Sequence, residues 1–497
     1  MHAATVKAAP HQTNNVRPSS SRRDRRVSAQ DRLLLGATCI LLCVTFISGG
    51  SSQETNAGML IARLLAIPVT MLALWEAQRR GVTGHARWSL VTLACVVSIP
   101  LLQLLPLPEW LWMSAPARQQ LQNDLAAAGV SNIHYRWSLS PAATERDLLS
   151  LLPSAALFVC AVTLGKEAHR RLCWLVIALA LFSVAFAVVQ MGAGEQSILN
   201  LYPQWVPAMG GIFANPNHQA ASVAIALVLA ISMLLDSRSR VRRGEPVREL
   251  VWIFAVLIVM FALTVPMIGS RAGPILAMIS AVIVALGSGA FPIARVRGHR
   301  GTQAFLCLAA VVLLLGVYAA FNWTAGAKID VIRSTLTRQT ALIGYTHAPL
   351  GGGYGGFVPL FDQGVDNSLI GGEYINNAHN DYVQLWLEGG VAAIAGMLAV
   401  LVWLAVSFLR LLALHPKSGS RRRGFAAATA MFVIVLHSWV DYPLRTPALM
   451  AVFALLAGVF SGSVAMGRAT SSATHSAHGE KSSLRVKASG INASPHA

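Results

Sequence analysis

The chain has 497 residues, 55% hydrophobic and only 12% charged, with 39 Lys and Arg against 21 Asp and Glu and a mean hydropathy of +0.55. A soluble domain carries about twice that share of charge, so most of this chain must be solvated by lipid. The six cysteines (Cys39, Cys43, Cys95, Cys160, Cys173 and Cys307) all lie in apolar runs, with no CxxC and no histidine at metal spacing. They read as small buried hydrophobes, which excludes a disulfide or zinc framework.

Residues 1–30, which include "RRDRR", are poor in large apolar residues and read as a disordered basic tail. Spans long enough to cross a bilayer, about 20 apolar residues with about 17 tolerated, follow at 33–49, 57–76 and 88–106. The first lacks an A-x-A-like cleavage site and reads as an anchor. After a mixed loop, 107–147, come spans at 148–165 and 172–192, then a second mixed loop, 193–217. Four spans follow at 218–235, 250–269, 274–290 and 304–321, then the longest loop, 322–387. Spans at 388–410, 425–440 and 446–463 bring the total to twelve, and residues 466–497 form a second disordered tail. The expected fold is an all-α polytopic membrane protein.

Lys and Arg set the orientation. With both termini inside, 30 of the 39 fall on inner segments and 8 on outer ones, with Arg63 inside the second span. The net charge of +18 therefore records topology and a basic face towards anionic membrane lipids, and it is no sign of nucleic acid.

Polar residues of chemical interest collect on the outer side. In the longest loop, "AKIDVIRSTLTRQTALIGYT" has helical character and carries Arg333 and Arg338. It runs into "PLGGGYGGF", which reads either as a tight turn or as a set of N–H groups converging on an anion. Then comes "NNAHNDYVQLWLEGG" (376–390), with His379 at the membrane–water boundary. Histidine can take a proton from a hydroxyl; the plainer reading is an interfacial histidine beside a helix cap, Asn380 or Asp381. Asp381 is too near in sequence to orient His379. Asn215, Asn217 and His218 stand at the outer end of the sixth span, and Arg271 lies in the turn of "GSRAG". His437, Asp441 and Arg445 occupy the turn before the last span, with His437 and Asp441 spaced to form an i,i+4 pair, and Arg63 lies two helical turns inside the second span. Outer arginines without evident acidic partners suit the oxygens of a lipid diphosphate. A histidine beside them suits deprotonation of an incoming sugar hydroxyl, with the arginines stabilising the leaving group.

Five stretches in order, "GIFANPNHQAA", "SRAG", "IRSTLTRQTALIGYTHAPLGGGYGGF", "NNAHNDYVQLWLEGG" and "HSWVDYPLRTPA", resemble the O-antigen ligase and O-antigen polymerase superfamily over residues 210–460, with weaker likeness in "RWSLSPAATERDLL" (136–149). The resemblance implies a GT-C-like glycosyltransferase domain over residues 31–465 in the bacterial inner membrane, with 322–387 periplasmic. It implies a donor of undecaprenyl-diphosphate-linked oligosaccharide, an acceptor glycan or lipid A core, and a chain-length regulator as a further partner. It implies inverting transfer with no cofactor, nucleotide sugar or metal. On it, His379 is the catalytic residue, Arg271 and Arg333 or Arg338 hold the diphosphate, and Arg63, Asn215, Asn217, His218, Asn380, Asp441 and Arg445 bind substrate or support the site. "EGGVAA" departs from the family pattern in its alanines, which bears on the packing of the tenth span. The leading expectation is a polymerase of polysaccharide repeat units, the alternative an O-antigen ligase. A small-anion transporter is the reading from another class, weakened by the lack of internal repeats and of mid-span charge.

Overall fold

The computed structural model describes residues 29–52, 56–82, 84–130, 134–194, 197–202, 209–287, 327–366, 375–416 and 418–467. Among these residues the regular structure is helical, with one isolated bridge between Pro106 and Arg136. The helices are α1 (Ala29–Ser48), α2 (Ala57–Arg80), α3 (His85–Gln103), α4 (Glu109–Trp112), α5 (Pro116–Ala127), α6 (Pro141–Thr163), α7 (Lys166–Ala193) and α8 (Pro216–Arg242). They continue as α9 (Arg248–Met267), α10 (Ala272–Gly287), α11 (Ala327–His347), α12 (Phe357–Gly364), α13 (Asp381–Leu412), α14 (Gly419–His437) and α15 (Pro447–Gly467).

Nine described helices, α1–α3, α6–α9, α13 and α15, are long and apolar enough to cross a membrane, as in a polytopic helical membrane protein. Two more expected spans fall on helices that miss that mark. α10 has 16 residues, and α14 opens on the basic run Arg421–Arg423. The expected span at 304–321 lies outside the described residues, as do nearly all of both tails and Cys307. Cys160 and Cys173 are buried, whereas Cys95 is exposed on α3 rather than buried as expected.

α8 and α15 are the most enclosed spans, with 72% of the apolar stretch of each buried, against 22% for α9. Small residues permit this, because lipid tails offer no hydrophobic contrast and helices associate by close approach. Gly273 of α10 sits against Ala220 of α8, and Gly458 of α15 against Ala161 of α6.

The described part of the longest loop, 327–366 and 375–380, packs against the bundle. α11 spans the helix expected there and lays Leu336 and Ile343 over Phe357, Phe361 and Leu387 in a separate small core. Arg118 of α5, fully buried, ties this segment down by donating to the carbonyls of Trp137 and Gly351. Burial without a carboxylate pushes its guanidinium down to about 10.

α13 is broken at Gly390, whose φ of 56° and ψ of −146° belong to no helix. The glycine-rich turn mends the break. Gly352 N–H donates to Leu387 O at 2.9 Å, Gly353 N–H to Glu388 O at 2.8 Å, and Val391 N–H to Pro349 O at 2.9 Å. Gly351 N–H donates to His347 O, Tyr354 N–H to Gln103 Oε1 and Gly356 N–H to Gly353 O. These N–H groups have partners within the chain, so the turn serves the broken helix and the anion-cradle alternative is set aside. Carbonyls freed by a helix break inside protein must find such donors.

A Cβ at Gly390 would lie 2.2 Å from Pro349 O, in a backbone conformation that L side chains rarely adopt. Gly390→Ala should cost on the order of 3 kcal/mol, read as a lower Tm in detergent. Gly36→Ala, with nothing within 4 Å of the added Cβ, should change stability by less than about 1 kcal/mol, towards the more stable side.

Candidate active site

The starts of α8 and α13 meet the turn between α14 and α15 at one end of the bundle. α8 begins there because Pro216 fits a first helical turn and the Asn215 side chain caps it, accepting from Asn217 N–H at 2.9 Å. α13 begins there because Asn380 accepts from Tyr382 N–H at 3.0 Å and Val383 N–H at 3.1 Å. Its amide also donates to Trp439 O at 2.9 Å, so Asn380 is both the cap and a strap to the α14–α15 turn. The expected alternative of Asp381 as cap is not what forms: Asp381 Oδ2 accepts from Ser438 Oγ at 2.8 Å and Leu444 N–H at 3.2 Å.

The centre of the site is Asp441, fully buried in the α14–α15 turn. Asn217 Nδ2 donates to its Oδ2 at 2.7 Å, and Asn215 Nδ2 reaches both oxygens at 3.2 and 3.3 Å. His218 Nε2 and His379 Nδ1 each stand 3.6 Å from Oδ1, and Arg333 Nη2 stands 3.7 Å from Oδ2. Arg333 also donates to Val440 O at 3.3 Å, and His218 Nδ1 meets Thr446 Oγ1 at 2.8 Å. Burial by itself would raise the Asp441 carboxyl; His218 and His379, by close contact and charge, hold it well below the usual carboxylate range. At 3.6 Å these are close polar contacts rather than full hydrogen bonds.

His379 is the only non-glycine residue with positive φ, 52°, among the described residues. Its backbone therefore sits in a region that non-glycine residues rarely occupy, and such residues cluster at functional sites. The side chain is 24% exposed, and Nδ1 is buried facing Asp441. Tyr442 lies between the two histidines, its ring centroid 4.9 Å from that of His379 and 5.0 Å from that of His218. With Nδ1 turned to a carboxylate, Nε2 is left to accept a proton, and the Asp441 charge stabilises the imidazolium that results.

Six sequence candidates thus share one carboxylate network: Asn215, Asn217, His218, Arg333, His379 and Asp441. Arg271 is half-buried in the turn before α10, two residues from Gly273, which packs on Ala220 near the start of α8. Arg338 is exposed on α11, five residues from Arg333 and so on another face. The expected His437–Asp441 side-chain pair does not form: both ring nitrogens of His437 are buried without a hydrogen-bond partner, because the carboxylate is occupied by the residues above.

Arg445 belongs to a second network. Its Nη1 lies 2.6 Å from Glu388 Oε2 and 3.7 Å from Asp147 Oδ2, and its Nε 3.7 Å from Asp381 Oδ1. Burial opposes the charge on Arg445, and these three carboxylates more than offset it, raising the pKa of the guanidinium. The expectation that the outer arginines lack acidic partners is therefore corrected for Arg445, whose charge is taken up within the chain, and for Arg333, which stands 3.7 Å from Asp441 Oδ2. Arg63 donates to Ser150 Oγ at 2.7 Å near this group. Sequence reasoning missed Asp147, Glu388 and Tyr442. Asp147 and Glu388 are acids one or two turns inside apolar helices, a signal in itself; Tyr442 had none beyond adjacency to Asp441.

A carboxyl held low in the folded protein contributes stability that is complete above its free value, about 3.9, and is withdrawn as pH falls through the lower folded value. Asp441→Asn should thus cost roughly 3 kcal/mol at pH 7, and the difference in Tm from the native protein should narrow below pH about 4. A difference unchanged from pH 7 to strong acid would contradict the pairing. A scan against protein-family models finds no match to this chain, and no curated protein matches it, so the geometry of the site carries the functional reading.

Proposed function

We propose that the chain is a membrane-embedded glycosyltransferase of the bacterial inner membrane, with twelve spans, a GT-C-like architecture and both termini cytoplasmic. In this reading it transfers a glycan from undecaprenyl diphosphate to a hydroxyl at the periplasmic face, most simply to polymerise polysaccharide repeat units. The observation that carries the reading is the His379–Asp441 pair: an imidazole on a strained backbone, one nitrogen turned to a buried carboxylate and the other side partly open.

The chemistry then runs in one step. The acceptor hydroxyl oxygen attacks the anomeric carbon as its proton passes to His379 Nε2. The bond from that carbon to the diphosphate oxygen breaks, and the electron pair leaves with the diphosphate. Arg333 and Arg271 face the leaving group, with Arg338 at the solvent edge. Attack opposite the leaving group inverts the anomeric configuration. His218, Asn215 and Asn217 hold Asp441 in place, which keeps His379 in the proton-accepting tautomer.

A ligase delivering the glycan to lipid A core would use the same step with a different acceptor. A transporter would favour paired broken helices; among the described helices only α13 carries a residue with non-helical dihedrals inside it.

Loss of a positioned general base typically lowers turnover by about 10²- to 10⁴-fold. A deletion strain complemented with His379→Ala should accumulate single repeat units on undecaprenyl diphosphate and show no ladder of long surface glycan. Full-length glycan stranded on the carrier would assign the ligase, and a normal ladder would remove His379 from the chemistry.

A further inference from the structure

α11 belongs to none of the expected spans, yet one of its faces is apolar and open. Successive residues of a helix are about 100° apart. Leu336, Thr340, Ile343 and His347 therefore share one face, and all four are buried. Val331, Arg338, Leu342 and Tyr345 share the opposite face, within about 60° of one another. Val331, Leu342 and Tyr345 are 64%, 49% and 67% exposed, and Arg338 is exposed between them. Three large apolar side chains held in water on one face of a helix are costly, and such a patch marks a surface that is covered.

Two contacts fix the level of that face. Near the start of α11, Arg333 Nη1 donates to Val440 O at 3.3 Å, in the turn that follows α14. Near its end, the Tyr345 ring packs edge-on against Trp386 of α13, with centroids 5.4 Å apart. Gly344 comes so close to the same tryptophan that a Cβ there would lie 2.3 Å from its ring. Arg333 and Tyr345 are about 18 Å apart along the helix axis. Both anchors stand at the mouths of helices expected to cross the membrane, Val440 just past α14 and Trp386 in the second turn of α13. α11 thus runs along the level of those mouths. It also lies against the flank of α13, since Leu387 shares the small core with Leu336 and Ile343. Tyr382 and Trp439 stand at the same level, with ring centroids 5.9 Å apart and Trp439 exposed. Aromatic rings at helix mouths, with an arginine set among apolar side chains, are the composition that a membrane–water interface favours.

We propose that this face of α11 is seated in the bilayer leaflet on the side of the candidate active site, with Val331, Leu342 and Tyr345 among the upper acyl chains and the Arg338 guanidinium on a phospholipid phosphate. Lipid fits the face better than a protein does. The stripe is one side chain wide, it lies where the apolar layer begins, and its charge is a single guanidinium that a phosphate complements. Arg333 and Arg338 are about 140° apart around the helix. One arginine is therefore given to Asp441 and the other to the membrane. α11 is held on its buried face by protein and on its open face by lipid, and it carries Arg333 to the carboxylate between the two. The placement depends on no particular reaction, so it stands apart from the proposed glycosyl transfer.

The test is photocrosslinking of the full-length protein in phosphatidylcholine vesicles that carry a trace of radiolabelled phosphatidylglycerol or, in parallel, of radiolabelled diacylglycerol. A benzophenone amino acid is placed at Leu342, at Val331 or, as the control, at Asp124, which is exposed on the polar helix α5. Label should enter the protein from Leu342 and Val331 at several times the yield from Asp124. With the probe at Leu342, Arg338→Gln should lower the preference for phosphatidylglycerol over diacylglycerol about fivefold, the loss expected of one interfacial arginine. If the Val331 protein does not fold, Leu342 decides alone. Yields no higher than from Asp124 would put the face in water, and crosslinked dimers in place of lipid adducts would give it to a second copy of the chain. An adduct to another protein in place of lipid, with the same probe in cell membranes, would give it to that protein. Each of these three results would overturn the proposal, and an unchanged lipid preference in Arg338→Gln would remove the phosphate contact from it.

Discussion

A carboxylate with no exposed surface must be surrounded by donors or it will not stay charged. Asp441 meets that demand with groups from four separate parts of the chain: the start of α8, α11, the entry to α13, and its own turn, where Tyr442 N–H donates to Oδ1 at 2.9 Å. None of these segments is near another in sequence. Their meeting therefore defines the architecture at this end of the bundle, and the same meeting gives His379 its orientation. Stability and the proposed chemistry draw on one group, which would explain why so many polar side chains are gathered where a span could simply have ended.

A second constraint acts on the helix that follows His379. α13 starts at Asn380, runs two turns and breaks at Gly390. The break is tolerable because the turn at 349–353 supplies donors and an acceptor to the freed backbone. It also leaves Glu388 just above the break, facing Arg445. The glycines on both strands of this contact permit the approach: a Cβ on Gly351 would fall 2.5 Å from Gly390 N. One backbone repair thus bears on the positions of both His379 and Glu388.

Much of this was legible in the sequence, and the reason is period and length. Apolar runs of about 20 residues identify spans whatever their neighbours, and helices stand wherever such a run falls within the described residues. The polar candidates were legible as residues out of place at the ends of those runs. Their pairing was not. Asp441 lies 62 positions from His379, and local spacing offered His437 instead, at i,i+4. Arg445 looked like a phosphate ligand because Asp147 is nearly 300 residues away and Glu388 stood inside an apolar helix. The glycines of 351–356 read as a tight turn or as an anion cradle; the turn forms, and the partner it serves, the break in α13, is not visible in local spacing. Long-range pairing is set by how the helices pack, which periodicity does not encode.

The account turns on His379 and Asp441 acting as one unit, and a double-mutant cycle on purified protein tests that most directly. Turnover of an undecaprenyl-diphosphate-linked glycan would be compared for the native protein, His379→Ala, Asp441→Asn and the double variant. Residues that act as a unit are grossly non-additive, so the double variant should be no slower than His379→Ala alone. Losses that multiply independently would mean that Asp441 supports the fold without orienting the base, and the proposed site would lose its organising contact.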